Sequence, residues 1–232
     1  MESKRRVFVT GGTGYLGSRL IPRLVERGHL VRALARPGSE RRLPPGCETV
    51  TGDALKKESF APAVRGMNTF VQLVGVAHPS PAKARQFREI DLVSMRESVA
   101  AASEAEVSHF VYLSVAQPAP VMKAYVAVRG EGEEILRKSG IGWTILRPWY
   151  VLGPGHRWAY ALKPLYWVSK RVPQWRETAK RMDLVTCEQM LEALVDAVEL
   201  PSKENRLWEV PAIQNGELRA AGASRSTEGA LV

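Results

Sequence analysis

The sequence predicts an α/β fold in which helices cover both faces of a doubly wound parallel sheet, followed by a small C-terminal extension. Apolar, β-branched runs alternate with helix-like segments from the first residues to about residue 155, which is the order expected of a parallel sheet. Two of these runs, at 69–77 and 109–116, are almost continuously apolar, as strands buried on both faces are. The 232 residues suffice for one large domain with a well-buried core.

The first part of the chain supplies three predicted strands and one helix. Residues 6–11, RVFVTG, form a β-branched run that ends in glycines, and residues 14–28 follow with a helical pattern closed by a glycine. Further strands are predicted at 29–36 and 47–53, with the turn-rich segment 37–46 between them. The order strand, helix, strand therefore begins at the N-terminal end of the chain.

The middle of the chain continues the alternation. Residues 81–106 and 121–140 carry helical patterns, and each precedes a predicted strand, the second of which runs over 142–153. An amphipathic helix is predicted at 186–200, with Thr186 as its N-cap.

A single domain is predicted over residues 1–213, with its last strand at 205–213. Within it, residues 156–182 are aromatic, basic and interrupted by prolines, which favours a substrate or lid region rather than another strand and helix. Residues 214–232 are rich in glycine, alanine and serine and are predicted to form a disordered tail.

Composition restricts the class of protein. The net charge of +9 favours an anionic partner without specifying one. Cys47 and Cys187 are far apart and have no metal-ligand spacing, which is typical of a reduced, cytoplasmic protein. No apolar run reaches the roughly 18 residues that cross a bilayer, and no signal-peptide pattern precedes the first strand. The four histidines are isolated from other ligands, so no metal site is predicted.

The segment VFVTGGTGYLGSRL carries the strongest functional signal. Gly12, Gly14 and Gly17 fit G-x-G-x-x-G, and Gly11, Gly14 and Gly17 fit G-x-x-G-x-x-G. Such glycines allow a tight turn out of a strand, close approach of backbone N–H groups to a pyrophosphate, and close packing of the helix that follows. The motif lies between a predicted strand and a predicted helix, and it therefore indicates a Rossmann-type dinucleotide site.

The end of the second strand indicates which cofactor is bound. An acidic residue there would bind the 2′-hydroxyl of NAD, whereas an arginine would accommodate the 2′-phosphate of NADP. The strand ends at Arg36, and the nearest acid, Glu40, follows a Pro-Gly turn. NADP(H) is therefore favoured over NAD(H). Asp53, after the third strand, either accepts a hydrogen bond from the adenine amino group or caps the next helix.

These residues resemble the short-chain dehydrogenase/reductase superfamily, in particular its extended and atypical, NmrA-like branches. The resemblance rests on the fingerprint TGGTGYLG at 10–17, on GDALKKESF, LVGVA and YLSVA, and on ILRPWYVLGPG; it covers about 6–155 and, more weakly, 183–213. It implies that the cofactor is bound by the glycine-rich turn, by the ends of the next strands and by one proline, namely Gly11, Thr13, Gly14, Tyr15, Leu16, Gly17, Arg36, Asp53, Ala54, Gly75, Val76 and Pro148.

The resemblance also implies a catalytic tyrosine at Tyr125, with Ser114 near the substrate carbonyl. In the family, a lysine four residues after the tyrosine lowers the tyrosine pKa and binds the nicotinamide ribose. Arg129 stands at that position here, which keeps a cation but changes its shape and its donors. Tyr125 is therefore interpreted as catalytic, as a non-catalytic cofactor contact or as a packing residue, and Ser114 as a substrate-orienting or an ordinary strand-end residue. Gly130 and Gly132 weaken the same helix and are expected to make room for a neighbour or for the cofactor.

The aromatic and basic stretch at 156–181 has three interpretations. Tryptophan and tyrosine beside lysine and arginine suit peripheral contact with a membrane surface through 157–181. The same residues would also form an apolar substrate pocket or lid, or an amphipathic helix packed on the sheet. Nucleic-acid binding is not predicted, because positive charge is its only support.

Two functions of different kinds follow from these patterns. The first is an NADP(H)-dependent oxidoreductase that acts on a small apolar carbonyl or alcohol. The second is a non-catalytic, cofactor-binding redox sensor or accessory subunit, which the loss of the family lysine favours. An epimerase or dehydratase ranks lower, because the region after residue 155 is short and apolar for a nucleotide-sugar site. Nothing in the sequence specifies an oligomeric state.

Overall fold

Seven parallel strands form the central sheet of the computed structural model, which describes residues 4–153, 181–201 and 205–216. Two further short strands form a separate parallel pair. In chain order, the strands are β1 (Arg6–Thr10), β2 (Leu30–Ala35), β3 (Glu48–Thr51), β4 (Thr69–Gln72), β5 (His109–Leu113), β6 (Gly142–Arg147), β7 (Tyr150–Leu152), β8 (Leu184–Thr186) and β9 (Arg206–Glu209).

The strand order of the large sheet is β3-β2-β1-β4-β5-β6-β9, and every neighbouring pair is parallel. The chain therefore builds outward from β1 in one direction and then returns to build outward from β4 in the other. The prediction of a doubly wound parallel sheet is confirmed. The reversal lies between β1 and β4, and ligands of such sheets bind beyond the carboxyl ends of the strands at that point.

Helices connect the strands on both faces of the sheet. They are α1 (Gly17–Glu26), α2 (Ala61–Val64), α3 (Ala84–Gln86), α4 (Val93–Glu104), α5 (Lys123–Lys138), α6 (Cys187–Glu199) and α7 (Val210–Asn215). A π-helical segment, Phe87–Leu92, joins α3 to α4, and short 3-10 turns lie at Glu40–Arg42, Lys57–Ser59 and Pro81–Lys83.

Side chains of the central strands alternate between two apolar cores. Val7, Val9, Val71 and Val111 face one side and pack with α1 and α6. Phe8, Phe70 and Phe110 face the other side, where they lie in register on adjacent strands and pack with α2, α4 and α5. The Phe70 and Phe110 rings stack with their centroids 5.0 Å apart. Burial on both faces accounts for the almost continuous apolar runs of the sequence.

Helix α6 begins as the sequence predicts. The Thr186 hydroxyl accepts a hydrogen bond from the Gln189 backbone N–H at 3.1 Å, and the Gln189 side chain accepts one from the Thr186 N–H at 2.9 Å. This reciprocal capping box satisfies two backbone donors that a helix start otherwise leaves unpaired. The prediction of Thr186 as N-cap is confirmed.

Two predicted strands are shorter in the structure. The strand predicted at 142–153 is divided into β6 and β7, because Pro148 has no N–H with which to continue a ladder. The strand predicted at 205–213 ends at Glu209, and helix α7 follows. Gln214, assigned from sequence to the tail, lies in α7, and its side chain donates to the Leu184 carbonyl at 3.0 Å.

Most of the aromatic and basic stretch lies outside the described residues, so its three interpretations remain predictions, as does the tail from 217 onward. Arg181 is the one basic residue of that stretch within the described ranges. Of the helices that the structure describes, none combines the length and the apolar character needed to span a bilayer.

Candidate functional site

The glycine-rich turn connects β1 to α1 at the reversal point of the sheet. Gly11 has a φ of +72°, and a Cβ there would lie 2.8 Å from the Leu73 carbonyl carbon just after β4. A Cβ at Gly17 would collide with the Gly11 carbonyl oxygen. The turn therefore approaches the end of β4, and α1 approaches the turn, as closely as backbones allow. This is the geometry that lets a backbone contact a pyrophosphate.

The start of α1 suits an anion. No side chain caps this helix, and no acidic residue lies in its first turn. Gly14, which precedes the helix, is exposed, whereas Thr13 and Leu16 are half-buried. Because the partial positive charge of a helix N-terminus is uncompensated here, the turn fits the phosphates of a dinucleotide.

Tyr15 holds the turn from its other side. The Arg19 guanidinium lies 4.2 Å from the centre of the Tyr15 ring, and Arg19 Nη1 donates to the Tyr15 carbonyl at 2.7 Å. Burial raises the pKa of the Tyr15 phenol, and a hydrogen bond with Cys187 raises it further. The half-buried aromatic side chain thus packs towards the start of α6.

The residues expected at the adenosine differ in whether their side chains already form hydrogen bonds within the protein. Arg36, at the end of β2, is exposed and has no side-chain hydrogen bond or ion pair within the described chain. Glu40 accepts a hydrogen bond from the Thr51 hydroxyl at 3.3 Å. Asp53 Oδ1 accepts one from the Leu55 N–H at 3.0 Å, which forms a local turn beside the half-buried Ala54.

A buried polar network, which sequence reasoning missed, orders the end of β4. The Thr10 hydroxyl donates to the side-chain oxygen of Gln72, and that oxygen also accepts the Val74 N–H at 3.2 Å. The Gln72 amide nitrogen donates to the Ser94 hydroxyl at 3.2 Å. The only signal in the sequence was a polar residue, Gln72, inside an apolar run.

Arg129 is buried and forms an ion pair with Asp91, which the sequence did not single out. Arg129 Nη2 lies 2.8 Å from Asp91 Oδ1, and the two side chains are 7% and 1% exposed. Arg129 Nη1 donates to the Leu113 carbonyl at 3.0 Å, and Asp91 Oδ2 accepts the Val76 N–H at 3.1 Å. Burial tends to lower the pKa of Arg129, but Tyr125, Tyr112 and Asp91 raise it above its usual range. Burial raises the pKa of Tyr112 to about 12.

Tyr125 lies in the first turn of α5 and is half-buried. Its ring centroid is 4.9 Å from that of Phe87, and the Arg129 guanidinium lies 5.2 Å from it. Its hydroxyl makes no hydrogen bond among the residues that the structure describes. Tyr125 therefore combines a packed ring with an unengaged hydroxyl, an arrangement compatible with each of the three roles expected from the sequence.

Ser114 is bound to a buried carboxylate. Its hydroxyl lies 2.6 Å from Oε1 of Glu133, which is 0% exposed. Burial tends to raise the pKa of Glu133, but hydrogen bonds from Arg147 and Ser114 lower it below its usual value. Because an ionised carboxylate only accepts hydrogen bonds, the single proton of Ser114 points to Glu133. Ser114 can therefore only accept a hydrogen bond from a further partner.

Gly130 and Gly132 make room for neighbouring side chains. A Cβ at Gly130 would lie 3.0 Å from the Gln117 side-chain oxygen, and one at Gly132 would lie 2.7 Å from the Tyr112 hydroxyl. Gln117 in turn donates to Glu133 Oε1 at 2.6 Å. The weakened helix is thus compensated by close packing against β5 and the loop after it.

Apart from the glycine-rich turn and the residues that follow β2 and β3, the predicted site residues fall into two groups at the carboxyl edge of the sheet. Gly75 and Val76 meet Arg129 and Asp91 near Tyr125, whereas Ser114 is held by Glu133. Pro148 is buried, and its carbonyl accepts the Ala116 N–H at 3.0 Å. Within the described ranges, no group of three histidine, cysteine or acidic side chains could hold a metal ion.

Comparison with known proteins shows what this arrangement is similar to. A family model described as NAD(P)H-binding matches residues 11–160. A 3-beta-hydroxysteroid dehydrogenase of Mycolicibacterium neoaurum is 34% identical over 113 residues, which are 46% of this chain but 31% of that protein. A ceramide reductase of Caulobacter vibrioides is 27% identical over 184 residues, which are 77% of this chain and 56% of that protein. The chain thus matches about a third of the first relative and about half of the second.

The fold itself recurs in solved structures. The Bordetella bronchiseptica enzyme WbmH, in complex with NAD+, superposes with a TM-score of 0.66 at 19% identity, over 95% of this chain and 83% of that one. At this identity the likeness concerns the fold.

Proposed function

The chain belongs to the NAD(P)H-binding family of short-chain dehydrogenase/reductase type, and from that premise we propose an NADP(H)-dependent oxidoreductase that acts on a small apolar carbonyl or alcohol. The observation that carries the proposal is the glycine-rich turn, which meets the end of β4 at the reversal point and leads into an uncapped helix free of acid in its first turn. The residues present fit a dinucleotide there.

The preference for NADP(H) rests on the charges at the end of β2. Arg36 is exposed and unpaired within the described chain, so its guanidinium is free to bind a 2′-phosphate bidentately. Glu40, the nearest acid, is bonded to Thr51 on β3. An acid held in this way is poorly placed for the ribose 2′-hydroxyl that NAD presents.

The proposed chemistry is the exchange of a hydride and a proton with a carbonyl or alcohol. A bound nicotinamide supplies or accepts the hydride. Tyr125 gives the proton to the substrate oxygen in reduction and takes it in oxidation, with the fixed charge of Arg129 5.2 Å from its ring centroid. Because its own proton is held by Glu133, Ser114 can accept a hydrogen bond from the hydroxyl of an alcohol but cannot donate one to a carbonyl oxygen.

The apolar character of the substrate is supported by the relatives. Two of them are named for a steroid and for a ceramide, which are both largely apolar molecules with hydroxyl or carbonyl groups. Because this chain covers only part of both proteins, their substrates support the class of substrate proposed here and not a particular molecule.

Cofactor choice is tested by calorimetric titration with NADPH and NADH. We expect NADPH to bind more tightly, and Arg36→Ala to weaken NADPH by about tenfold or more while leaving NADH unchanged, since one charged hydrogen bond is worth about 1.5–3 kcal/mol. Arg65→Ala is the matched control: it removes the same charge from an exposed residue just before β4, at the opposite edge of the sheet. Equal binding of the two cofactors by the unaltered protein would reject the assignment of Arg36.

Turnover is tested by following NADPH absorbance with a panel of apolar ketones and aldehydes. We expect slow consumption that Tyr125→Phe abolishes, because phenylalanine keeps the ring packed on Phe87 but has no proton to transfer. Cofactor binding by the variant should remain. Full activity of Tyr125→Phe would show that Tyr125 is not the acid/base.

A non-catalytic cofactor-binding protein is the second candidate. Arg129 and Ser114, two of the three proposed active-site residues, are already bonded to Asp91 and Glu133. These bonds favour a sensor or accessory subunit, and the absence of any substrate consumption would favour it over an enzyme. NADPH and NADP+ affinities that differ by about tenfold, or 1.4 kcal/mol, would support the sensor.

A further inference from the structure

We propose that Asp91 and Arg129 form a positioning clamp for the adenosine half of the cofactor, and that Arg129 acts through this clamp rather than by binding the nicotinamide ribose. The proposal rests on the proposed cofactor site, in which the family resemblance implies that Gly75 and Val76 border the adenosine. It assigns a role to Asp91. It also gives Arg129 a role different from the ribose binding that its position, four residues after Tyr125, implies.

The clamp joins three elements at the carboxyl edge of the sheet. One carboxylate of the π-helical segment, Asp91, accepts the Val76 N–H at 3.1 Å and pairs with Arg129 on α5 at 2.8 Å. The same guanidinium holds the Leu113 carbonyl at the end of β5 at 3.0 Å. The loop after β4 is therefore fixed through two side chains to its neighbouring strand and to α5.

Gly75 makes the clamp sensitive to the shape of this loop. A Cβ at Gly75 would collide with Arg129 Nη2 and would lie 3.3 Å from Asp91 Oδ1. Gly75 is itself exposed on its other side, and its φ lies outside the left-handed region. The guanidinium therefore lies directly beneath the exposed cofactor loop, and a side chain at position 75 would require Arg129 to move.

The geometry leaves Arg129 little to offer a ribose. Both terminal nitrogens are engaged, one with Asp91 and one with the Leu113 carbonyl. The side chain is 7% exposed, and its Nε has no hydrogen-bond partner within the described residues but is closed off from a ligand by burial. Its positive charge is also balanced by the adjacent carboxylate. A lysine in the family role would instead point a free ammonium at the ligand, so the arginine is suited to holding the protein loop.

The two roles predict different losses with two probes, NADPH and 2′,5′-ADP. The second contains the adenosine half of the cofactor and lacks the nicotinamide ribose. We expect Gly75→Ala and Arg129→Lys each to weaken both probes by the same factor, about tenfold, since a displaced loop misplaces the hydrogen bonds of one half-site. Lysine keeps the charge but cannot reach Asp91 and Leu113 together in the fork geometry of arginine.

Asp91→Asn completes the set, and Glu131→Gln is its control. Both remove one negative charge, but Glu131 is a half-buried residue of α5 whose side chain is 40% exposed and pairs with Arg96 on the surface. We expect the first to weaken both probes and the second to weaken neither. Hydrogen–deuterium exchange of the segment 73–80 should be faster in the Asp91 and Arg129 variants before any ligand is added, because the side chain that accepts the Val76 N–H is no longer fixed by the ion pair.

Two other outcomes overturn the clamp. Weaker NADPH with unchanged 2′,5′-ADP would show that Arg129 contacts the nicotinamide half directly. Unchanged binding of both probes in folded Gly75→Ala would show that the ion pair serves the fold alone. Failure of the unaltered protein to bind either probe would instead reject the proposed cofactor site, and is distinguishable because it appears without any substitution.

Discussion

His109 shows at the scale of one residue how burial determines a titration. It lies in β5, is 1% exposed and has Nε2 3.0 Å from the Thr144 hydroxyl. Its Nδ1 has no partner within the described chain. Burial lowers the pKa of His109 to about 4, and the charges of Arg5 and Arg206 act in the same direction. The imidazole is therefore neutral in the folded protein at pH 7, and it lies at the start of β5, at the end of the strand away from Ser114.

This residue predicts a loss of stability in mild acid. The unfolded chain binds a proton near pH 6.5, whereas the folded one resists it until about pH 4. Stability is therefore fully present above pH 6.5 and falls as the pH drops towards 4. We expect the free energy of unfolding, measured in urea, to decrease by about 2 to 3 kcal/mol between pH 7 and 4.5 through this group.

His109→Gln is the comparison, since glutamine can still bond Thr144 but does not titrate. Its stability at pH 7 is expected to be lower, and its decrease between pH 7 and 4.5 should be smaller than that of the unaltered protein by the same 2 to 3 kcal/mol or so. Identical decreases in both proteins would mean that His109 accepts a proton freely in the folded state.

Residues that act through neighbours in the chain could be predicted from sequence. The glycine-rich turn and the Thr186 cap are examples, because each depends on residues three to five positions away. Asp91 could not be predicted, because its partner Arg129 becomes adjacent only when α5 packs beside the π-helical segment. Glu133 was missed for the same reason, as it resembles any surface glutamate of a helix.

At the scale of the element, periodicity predicted which segments are helices and strands, and packing determined where they end. The first five strands of the sheet lie within the apolar runs from which they were predicted. Helix α5 contains two glycines and is nevertheless 16 residues long, since close packing on Gln117 and Tyr112 compensates for poor helix propensity. The region after Arg147 departs most from the prediction, because Pro148 ends the sheet strand and β7 pairs with β8 instead.

At the scale of the whole molecule, the Glu133 carboxylate connects helix α5 to the strands β5, β6 and β9. Its two oxygens accept five hydrogen bonds, from Ser114, Gln117, Arg137 and twice from Arg147. Arg147 ends β6, and its Nη1 lies 3.7 Å from Glu209 at the end of the edge strand β9. One carboxylate thus connects α5 with β5 and β6, and through Arg147 with β9.

The buried position of Glu133 predicts that removing its negative charge strongly lowers the free energy of unfolding. Glu133→Gln keeps the shape of the side chain but leaves Arg147, which is 13% exposed, beside a neutral group. We expect the free energy of unfolding at pH 7 to fall by about 2 to 4 kcal/mol, because breaking a buried ion pair from one side leaves an uncompensated charge. Urea denaturation monitored by tryptophan fluorescence measures the change.

The neighbouring residue provides the control, and pH provides a second test. Glu134 is 59% exposed and pairs with the same Arg137, so Glu134→Gln should change the free energy of unfolding by at most about 0.5 kcal/mol. Since the folded pKa of Glu133 is lowered, its contribution is present above the unfolded pKa and is lost as the pH falls through the folded value. The difference between Glu133→Gln and the unaltered protein should therefore stay constant from pH 7 to about 5 and shrink below about pH 4. An equal effect of the two substitutions at pH 7 would show that burial of this carboxylate contributes nothing to holding the sheet together.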